Sequence, residues 1–581
     1  MPPVRRRRSG SGRRAPVDSR MSILTKRAAL VLAPVALVVA ASVSTLHARQ
    51  ARPAAGPRFE ISFARSAHAE PITGRAYVAI SRLGDTSGTP IRRSGESGDP
   101  LFGKNIDALA PGQSAIIDAD VFGHPLQSLR DLPAGEYRAQ PFVNVYTKFA
   151  RADGHTVWLH MDQWEGQQWK SSPGNIYGDP VKITWDPKSP AAIKLVADKV
   201  IPPVVVPADN DNVKRFKIQS AILTKWWGHP IYLGATVLLP KDYDTHPDVK
   251  YPVVYQHGHF GLGAPGGFGR VGGAGRAGGA ARGSDFTGYW LADNTPRMIV
   301  VSLQYPSPYY DDAYGVNSAN NGPFGDAIMR ELLPAVETKF RVLREPYARL
   351  LTGGSTGGWI SLAHQVMYPE SYGGVWSLCP DGVDFRYHQI VNVYADSNAY
   401  FLTRGSWMKI DRPDNRRPDG NIITMMKDEN WFELTAGDHS RSGGQWDIWE
   451  ATYGPVGADG YPAPIWDKRT GVIDKKVAAY WKEHYDLRNI IETNWPTLGP
   501  KVAGKINVYV GDADSYFLNM GVHMLDDFLK KADTPKHTGE IVFQPMAPHC
   551  WGPSLAELIP KMAAAVERNA PAGSDLRSWR Y

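Results

Sequence analysis

Two patterns of apolar positions divide the chain. From Arg58 to about Pro202, short runs such as RFEISF, RAYVAIS, QSAIIDA, GEYRAQPFVNVY, TVWLHM and PVKITW alternate apolar with polar residues, separated by Gly, Pro, Asp and Asn. A period of two marks half-buried strands, and no long helical period interrupts it. Residues 57–202 are therefore expected to form an N-terminal β-sandwich-like domain of the immunoglobulin kind. The stretch VIPPVVVPADNDN reads as a proline-rich linker, placed at 203–213.

Beyond the linker the period changes. IYLGATVLLP, YPVVYQHG, RMIVVSLQY, RLLTGG, GGVWSLCP, INVYVGD and GEIVFQPM read as strands, several apolar on both faces. GDAIMRELLPAVETKF, GGWISLAHQVMY and GVHMLDDFLKKA carry helical spacing. Strands alternating with helices predict an α/β domain over 214–570 with a mostly parallel sheet. More than a hundred residues lie between SLCP and INVYVGD, too many for a simple crossover, and 387–500 is expected to be a cap or lid insertion.

The first fifty residues follow neither pattern. RRRR at Arg5–Arg8 and further arginines precede Met21, a second possible start. From there a basic segment with Lys26 and Arg27 leads into an apolar run from about Ala28 to Val43 and then small residues. This is the layout of a secretory signal peptide, placed within 1–48 with cleavage near Ala48. The competing reading is a membrane anchor, since about 16 apolar residues fall just short of a span. Export to a periplasmic or extracellular location is the expectation, with no stable span once the leader is removed.

Charge follows the same division. The chain carries +7, but residues 1–50 hold ten Lys+Arg against one Asp, so the remainder is +7 less +9, or −2. The basic balance belongs to the leader, and nucleic-acid binding is not expected. With 43% hydrophobic and 21% charged residues the chain is globular, not disordered or fibrous.

Chemistry concentrates at the ends of the predicted strands. Gly353-Gly354-Ser355-Thr356-Gly357 fits the G-x-S-x-G nucleophile elbow, in which a serine on a sharp strand-to-helix turn is exposed above a sheet. The motif alone is weak, but here it follows a predicted strand and opens a predicted helix. YPVVYQHGHFG ends a strand in His257-Gly258-His259, where a loop amide can stabilise an oxyanion; the amides of His259 and Thr356 are the candidates. The two histidines could instead be a metal pair, but no third ligand stands at a metal-site spacing, and neither metal nor cofactor is expected.

An acid and then a base must follow the serine. GDADSYF offers Asp512 and Asp514 after one strand, and MAPHCWG offers His549 after the last. Asp514 is preferred as the acid, with Asp512 read as a helix-capping residue. Ser355, His549 and Asp514 are thus the candidate catalytic residues. Trp446, Tyr516 and Trp551 are candidates to contact substrate. The insertion holds other tryptophans too, including Trp407, Trp431, Trp449 and Trp466, any one of which can equally be core. The β-domain, with Trp158, Trp164 and Trp169, could bind carbohydrate, wall the cleft or mediate dimerisation.

With these residues in view, the segment from about Lys214 to Arg568 resembles the putative esterase family of α/β-hydrolases, which includes enterochelin esterases, bacterial feruloyl esterases and mycolyl-transferring antigens. The likeness rests on YPVVYQHG, GPFGDAIMRELLPAVETKFRV, GGSTGGW, and GDADSYF followed by HCWG. It implies an α/β-hydrolase fold and serine esterase chemistry without metal, with the motif positions on Ser355, Asp514 and His549. A β-domain ahead of the hydrolase domain is similar to the enterochelin esterase arrangement. Departures are Thr356 where the family often has methionine, a long glycine-rich loop after the oxyanion strand, read as a flexible rim, and the large insertion. His549-Cys550 also resembles tannases and fungal feruloyl esterases, whose cysteine after the histidine pairs with one beside the serine. Gly354 occupies that serine-adjacent place here, which leaves Cys379 and Cys550 as either a disulfide or two thiols. The expected activity is hydrolysis of an aromatic, siderophore or carbohydrate ester through an acyl-enzyme. The alternatives are acyl transfer by the same residues, or binding without catalysis.

Overall fold

Among residues 58–200 the alternation builds two sheets. One runs in the order Ala192–Ala197, Arg58–Phe63, Ala115–Ile117. The other is centred on Ile72–Arg82, which pairs antiparallel with the long strand Gly135–Ala150 on one side and with Leu101–Leu109 on the other. Every second residue of Arg58–Phe63 points inward, so Phe59, Ile61 and Phe63 meet Val78, Ile80 and Val143. Phe59 stacks on Trp185 with ring centroids 5.3 Å apart. Two of these strands were not legible from alternation. Leu101–Leu109 carries exposed Lys104 and Asn105 side by side, and in Ala192–Ala197 the exposed Val196 puts an apolar residue at an outward position.

This computed structural model describes residues 56–161, 164, 168–270, 285–405 and 407–581. The expected leader and most of the glycine-rich loop, residues 271–284, lie outside the described residues. Gly56–Tyr581 pack as one compact unit.

The second region is built on one eight-stranded sheet. Its strands are β1 (Val213–Ser220), β2 (Ile231–Leu238), β3 (Val253–His257), β4 (Ile299–Gln304), β5 (Arg349–Gly354), β6 (Gly374–Leu378), β7 (Ile506–Gly511) and β8 (Ile541–Gln544). They lie in the order β1-β2-β4-β3-β5-β6-β7-β8. The sheet is mixed: β1 with β2 and β2 with β4 are antiparallel, and each pairing from β4 to β8 is parallel. The central strands are buried on both faces, as Val253, Val254, Leu350, Leu351 and Ile506–Val510 show, which explains their unbroken apolar runs. This is an α/β-hydrolase-like fold, with helix α1 (Thr356–Met367) packed against the sheet and buried from Thr356 through Val366. The helix expected ahead of β5 spans Phe324–Lys339, with a π turn at Ile328–Leu332 beside Pro334, which cannot donate an amide to the helix ladder.

Between β6 and β7 the chain makes two hairpins, Phe401–Arg404 with Met408–Asp411 and Pro413–Arg416 with Ile422–Met425. Helices Met426–Ala436, Gln445–Tyr453, Lys475–His484 and Leu487–Val502 follow. Its aromatic residues extend the main core: Trp446, Trp449, Trp466, Tyr453 and Trp481 are buried, Tyr453 meets Trp359 of α1 at 5.1 Å, and Trp446 lies 4.4 Å from Trp466 and 4.6 Å from Trp449 between ring centroids. Trp407, by contrast, is 97% exposed. The β-rich region is tied to this insertion by buried polar contacts. Arg75 Nε and Nη2 both donate to the Thr435 carbonyl, at 3.1 and 2.9 Å, and Tyr77 donates to that of Ala436.

Candidate active site

The elbow is built by close approach of backbones. Ser355 stands between β5 and α1 with φ 57° and ψ −124°, a strained conformation for a residue with a side chain. A Cβ on Gly353 would overlap the carbonyls of Gly357 and His257, and one on Gly357 would overlap the His257 carbonyl and Gly258 Cα. Glycine at these two positions therefore lets α1 settle against the end of β3. This brings Thr356, at the first position of α1 where an amide has no intrahelical acceptor, beside the His257–His259 loop.

Ser355, His549 and Asp514 are joined in series. Ser355 Oγ lies 2.8 Å from His549 Nε2, and His549 Nδ1 lies 2.7 Å from Asp514 Oδ2. Asp514 is fully buried, and its other oxygen accepts from the amides of Tyr516 and Leu518 at 2.9 and 3.2 Å. Burial disfavours the His549 imidazolium, but the Asp514 carboxylate outweighs it and holds the His549 pKa well above 6.5. Asp512 is engaged elsewhere: its Oδ1 is 2.8 Å from His523 Nε2, so the choice between the two aspartates falls on Asp514.

The loop histidines diverge. His257 is buried with Nδ1 2.7 Å from the Tyr305 hydroxyl, whereas His259 faces Asp311 at 3.0 Å and Asp312 at 3.6 Å. Burial opposes charge on His259, yet these aspartates raise its pKa to about 10. His257 and His259 thus form no metal pair. The structure supplies what the sequence did not show: His259, Asp311 and Asp312 could together offer three ligand atoms to a cation, as could Cys379, His549 and Cys550. The former set is internally paired by its own charges.

A further acid was missed by sequence reasoning. Asp381, two residues past Cys379 at the end of β6, is buried and accepts from Thr356 Oγ1 at 3.1 Å, from Tyr314 and from Ser355 Oγ at 3.3 Å. Tyr314 OH in turn accepts from Trp449 Nε1 at 2.6 Å and Gln445 Nε2 at 2.5 Å. The signal available was its place at a strand's carboxyl end, the same that marked Asp514 and His549. Cys379 and Cys550 bring their sulfurs to 2.9 Å from each other, and the Ser355 amide points at Cys379 Sγ from 3.3 Å. The Cys379 hydrogen bond lowers the Cys550 pKa to about 5 against the effect of burial, while burial keeps Cys379 protonated.

The candidate substrate contacts divide. Tyr516 lines the cavity and meets the His549 ring edge to face at 5.1 Å. Trp446 does not line it: the ring is fully buried and its Nε1 donates to Glu429 Oε2 at 2.9 Å, so it is core of the insertion. Trp551 does not line it either; it is half-buried against the main core beyond His549. The tryptophans that reach the cavity are Trp449, one helical turn from Trp446, and Trp169 of the β-rich region. The cavity measures about 850 Å³ and holds Ser355, Asp381 and His549 at its base.

Several solved structures are similar to the chain at low identity. A ferulic acid esterase is 15% identical over 61% of this chain and 100% of its own, with a TM-score of 0.35. FphF, a fluorophosphonate-binding serine hydrolase of Staphylococcus aureus, is 13% identical over 60% and 98%, with a TM-score of 0.33. An S-formylglutathione hydrolase of Agrobacterium tumefaciens is 13% identical over 62% and 98%, with a TM-score of 0.32. No curated protein matches the chain. Residues 232–430, which contain the His259 loop and the Ser355 elbow, match the family model described as Putative esterase.

Proposed function

We propose that the protein is an exported serine esterase. The observation that carries this reading is the hydrogen-bonded series Ser355, His549, Asp514 at the base of a cavity. His549 Nε2 takes the Ser355 proton as Oγ attacks the ester carbonyl, and Asp514 fixes the imidazole tautomer and stabilises the imidazolium. The amides of His259 and Thr356 receive the oxyanion. His549 then protonates the leaving alcohol, and a water activated by the same histidine releases the acid from Ser355.

The wall of the cavity comes from the insertion and the β-rich region, which gives the insertion the role of a cap and the β-region that of a cleft wall. Trp169, Phe432, Trp449 and Tyr516 make it partly aromatic, which suits a small-molecule ester. Export rests on the leader pattern of residues 21–48; among the described residues no helix is long and apolar enough to cross a membrane. Hydrolysis of a panel of esters, from nitrophenyl acetate to longer acyl chains and methyl ferulate, by wild type and Ser355→Ala tests the proposal. Turnover by wild type with a loss of at least about a thousandfold in the variant is expected. Equal rates in both proteins would remove Ser355 from the reaction.

A further inference from the structure

The base of the cavity is accounted for by the proposed chemistry, but one end of it is not. There the cavity is lined by Glu96 from the β-rich region and by Gln389, Asn415 and Glu429 from the insertion. Asp414, fully buried, stands behind them and shares hydrogen bonds with Glu429 and Gln389. Two carboxyls joined by a hydrogen bond hold one proton between them, so the Asp414–Glu429 pair keeps one negative charge. Glu96 adds a further carboxyl to the same lining, beside Lys170.

Positive charge is scarce at this end. Lys170 is the nearest ammonium, and its Nζ donates to the Ser94 carbonyl at 2.6 Å while lying over Trp169 and Phe432. Among the described residues no Lys or Arg comes within ion-pair distance of Glu96. Arg416 is turned away, stacked on Phe517 and donating to the Asp514 carbonyl at 3.0 Å. Glu433, also on the wall, is neutralised by Lys468 at 2.8 Å. Consistent with a shortage of cations, burial and then Asp414 and Asp428 push the Glu96 pKa up to about 7.

The unpaired polar atoms point the same way. Among the described cavity-lining residues, the buried side-chain atoms with no partner are Gln389 Oε1 and Asn415 Oδ1, and Asp414 Oδ1 behind them is unpaired too. All are oxygens. Gln389 is 2% exposed, and the bond to Asp414 fixes its amide nitrogen on the carboxyl side, leaving the oxygen without a donor. A carboxyl-rich, partly apolar recess with orphaned acceptors suits a ligand that brings N–H donors and positive charge.

We propose that this recess binds a protonated amine, so that the esters accepted at Ser355 carry a primary ammonium group on the part of the molecule lying past Tyr516. The inference rests on the esterase reading, because Tyr516 supplies the link: its ring packs on His549, and its hydroxyl feels Glu429, Asp414 and Glu96. Tyr516, packed on His549, lines the same cavity as Glu96, Gln389 and Glu429. Glu96 and the Gln389 and Asn415 oxygens accept from the ammonium, and the Tyr516 face covers its alkyl stem. A polyol would bring acceptors as well as donors and would leave the negative charge uncompensated.

The test uses the full chain at pH 7 and three probes: hexylammonium chloride, hexan-1-ol and glucose. Calorimetry gives their affinities, and each is also scored for slowing the labelling of Ser355 by a fluorophosphonate. Hexylammonium is expected to bind at least about tenfold more tightly than the alcohol, to slow labelling, and to lose most of that preference in Glu96→Gln. Equal binding of amine and alcohol, preference for glucose, or amine binding that leaves labelling untouched would overturn the proposal. Should Glu96→Gln fail to fold, the amine-to-alcohol ratio of wild type still decides it. Ser355 that resists the fluorophosphonate without any probe would overturn the esterase reading itself; Ser355 that labels while the amine shows no preference would overturn only the ammonium site.

Discussion

The base and the wall of the cavity are built on different principles. At the base, the reacting groups sit on strand ends, and their positions follow from backbone constraints: a left-handed Ser355, glycines that let α1 touch β3, and an Asp514 clamped by two amides. At the wall, the groups come from segments hundreds of residues apart, Glu96 and Trp169 on one side and Glu429 and Trp449 on the other, held by aromatic packing and buried carboxyls. A motif can specify the first, because each constraint is local. The second exists only after folding, and it is where selectivity resides.

Substitutions should separate the two. Asp514→Asn gives the largest effect expected at the base, since it reverses the tautomer preference of His549 while leaving its volume. A loss of at least about a thousandfold in kcat with little change in melting temperature is predicted, read by steady-state kinetics and thermal unfolding. A variant with near wild-type kcat would detach the acid from the serine.

Trp446→Ala is the counterpart in the wall. The residue is 0% exposed and touches no cavity, so the change should cost about 3–5 kcal/mol of stability by denaturant unfolding, through the void it leaves. An unchanged stability would mean that the insertion's aromatic cluster does not hold it together. Gly357→Ala should be smaller, about 1–3 kcal/mol, because the methyl group must push α1 away from the His257 carbonyl. Its kcat should fall too, since the Thr356 amide moves with the helix.

The smallest effect expected is a shift in a pH profile. His549 acts as a base only when neutral, and Asp514 raises its pKa above 6.5. Activity should therefore be full at high pH and fall as pH drops through a midpoint above 6.5, higher than for an isolated histidine. A kcat/KM profile with its acid limb at or below 6.5 would mean that Asp514 does not stabilise the imidazolium.

What was legible in the sequence follows the same division. The strand and helix order of the central sheet could be read from apolar runs, and Ser355, Asp514 and His549 from their places after predicted strands. The rejection of Asp512 needed the structure, because its partner His523 lies 11 residues further along the chain. Asp381 was marked by position but lacked a motif. Trp446 and Trp449 are indistinguishable by composition; they share a face of the helix Gln445–Tyr453, and only the step of one turn along it brings Trp449 to the cavity while Trp446 stays in the core. Glu96, in a β-region read as a separate domain, had no local signal at all; its meaning comes from Asp414 and Glu429, more than three hundred residues away.

The most direct test of the central claim is mass spectrometry of the full chain after treatment with a fluorophosphonate. One phosphonyl group on the peptide containing Ser355 is expected, with labelling strongly slowed in Asp514→Asn. A protein that remains unmodified, or is modified at another residue, would contradict the assignment of Ser355 as the nucleophile.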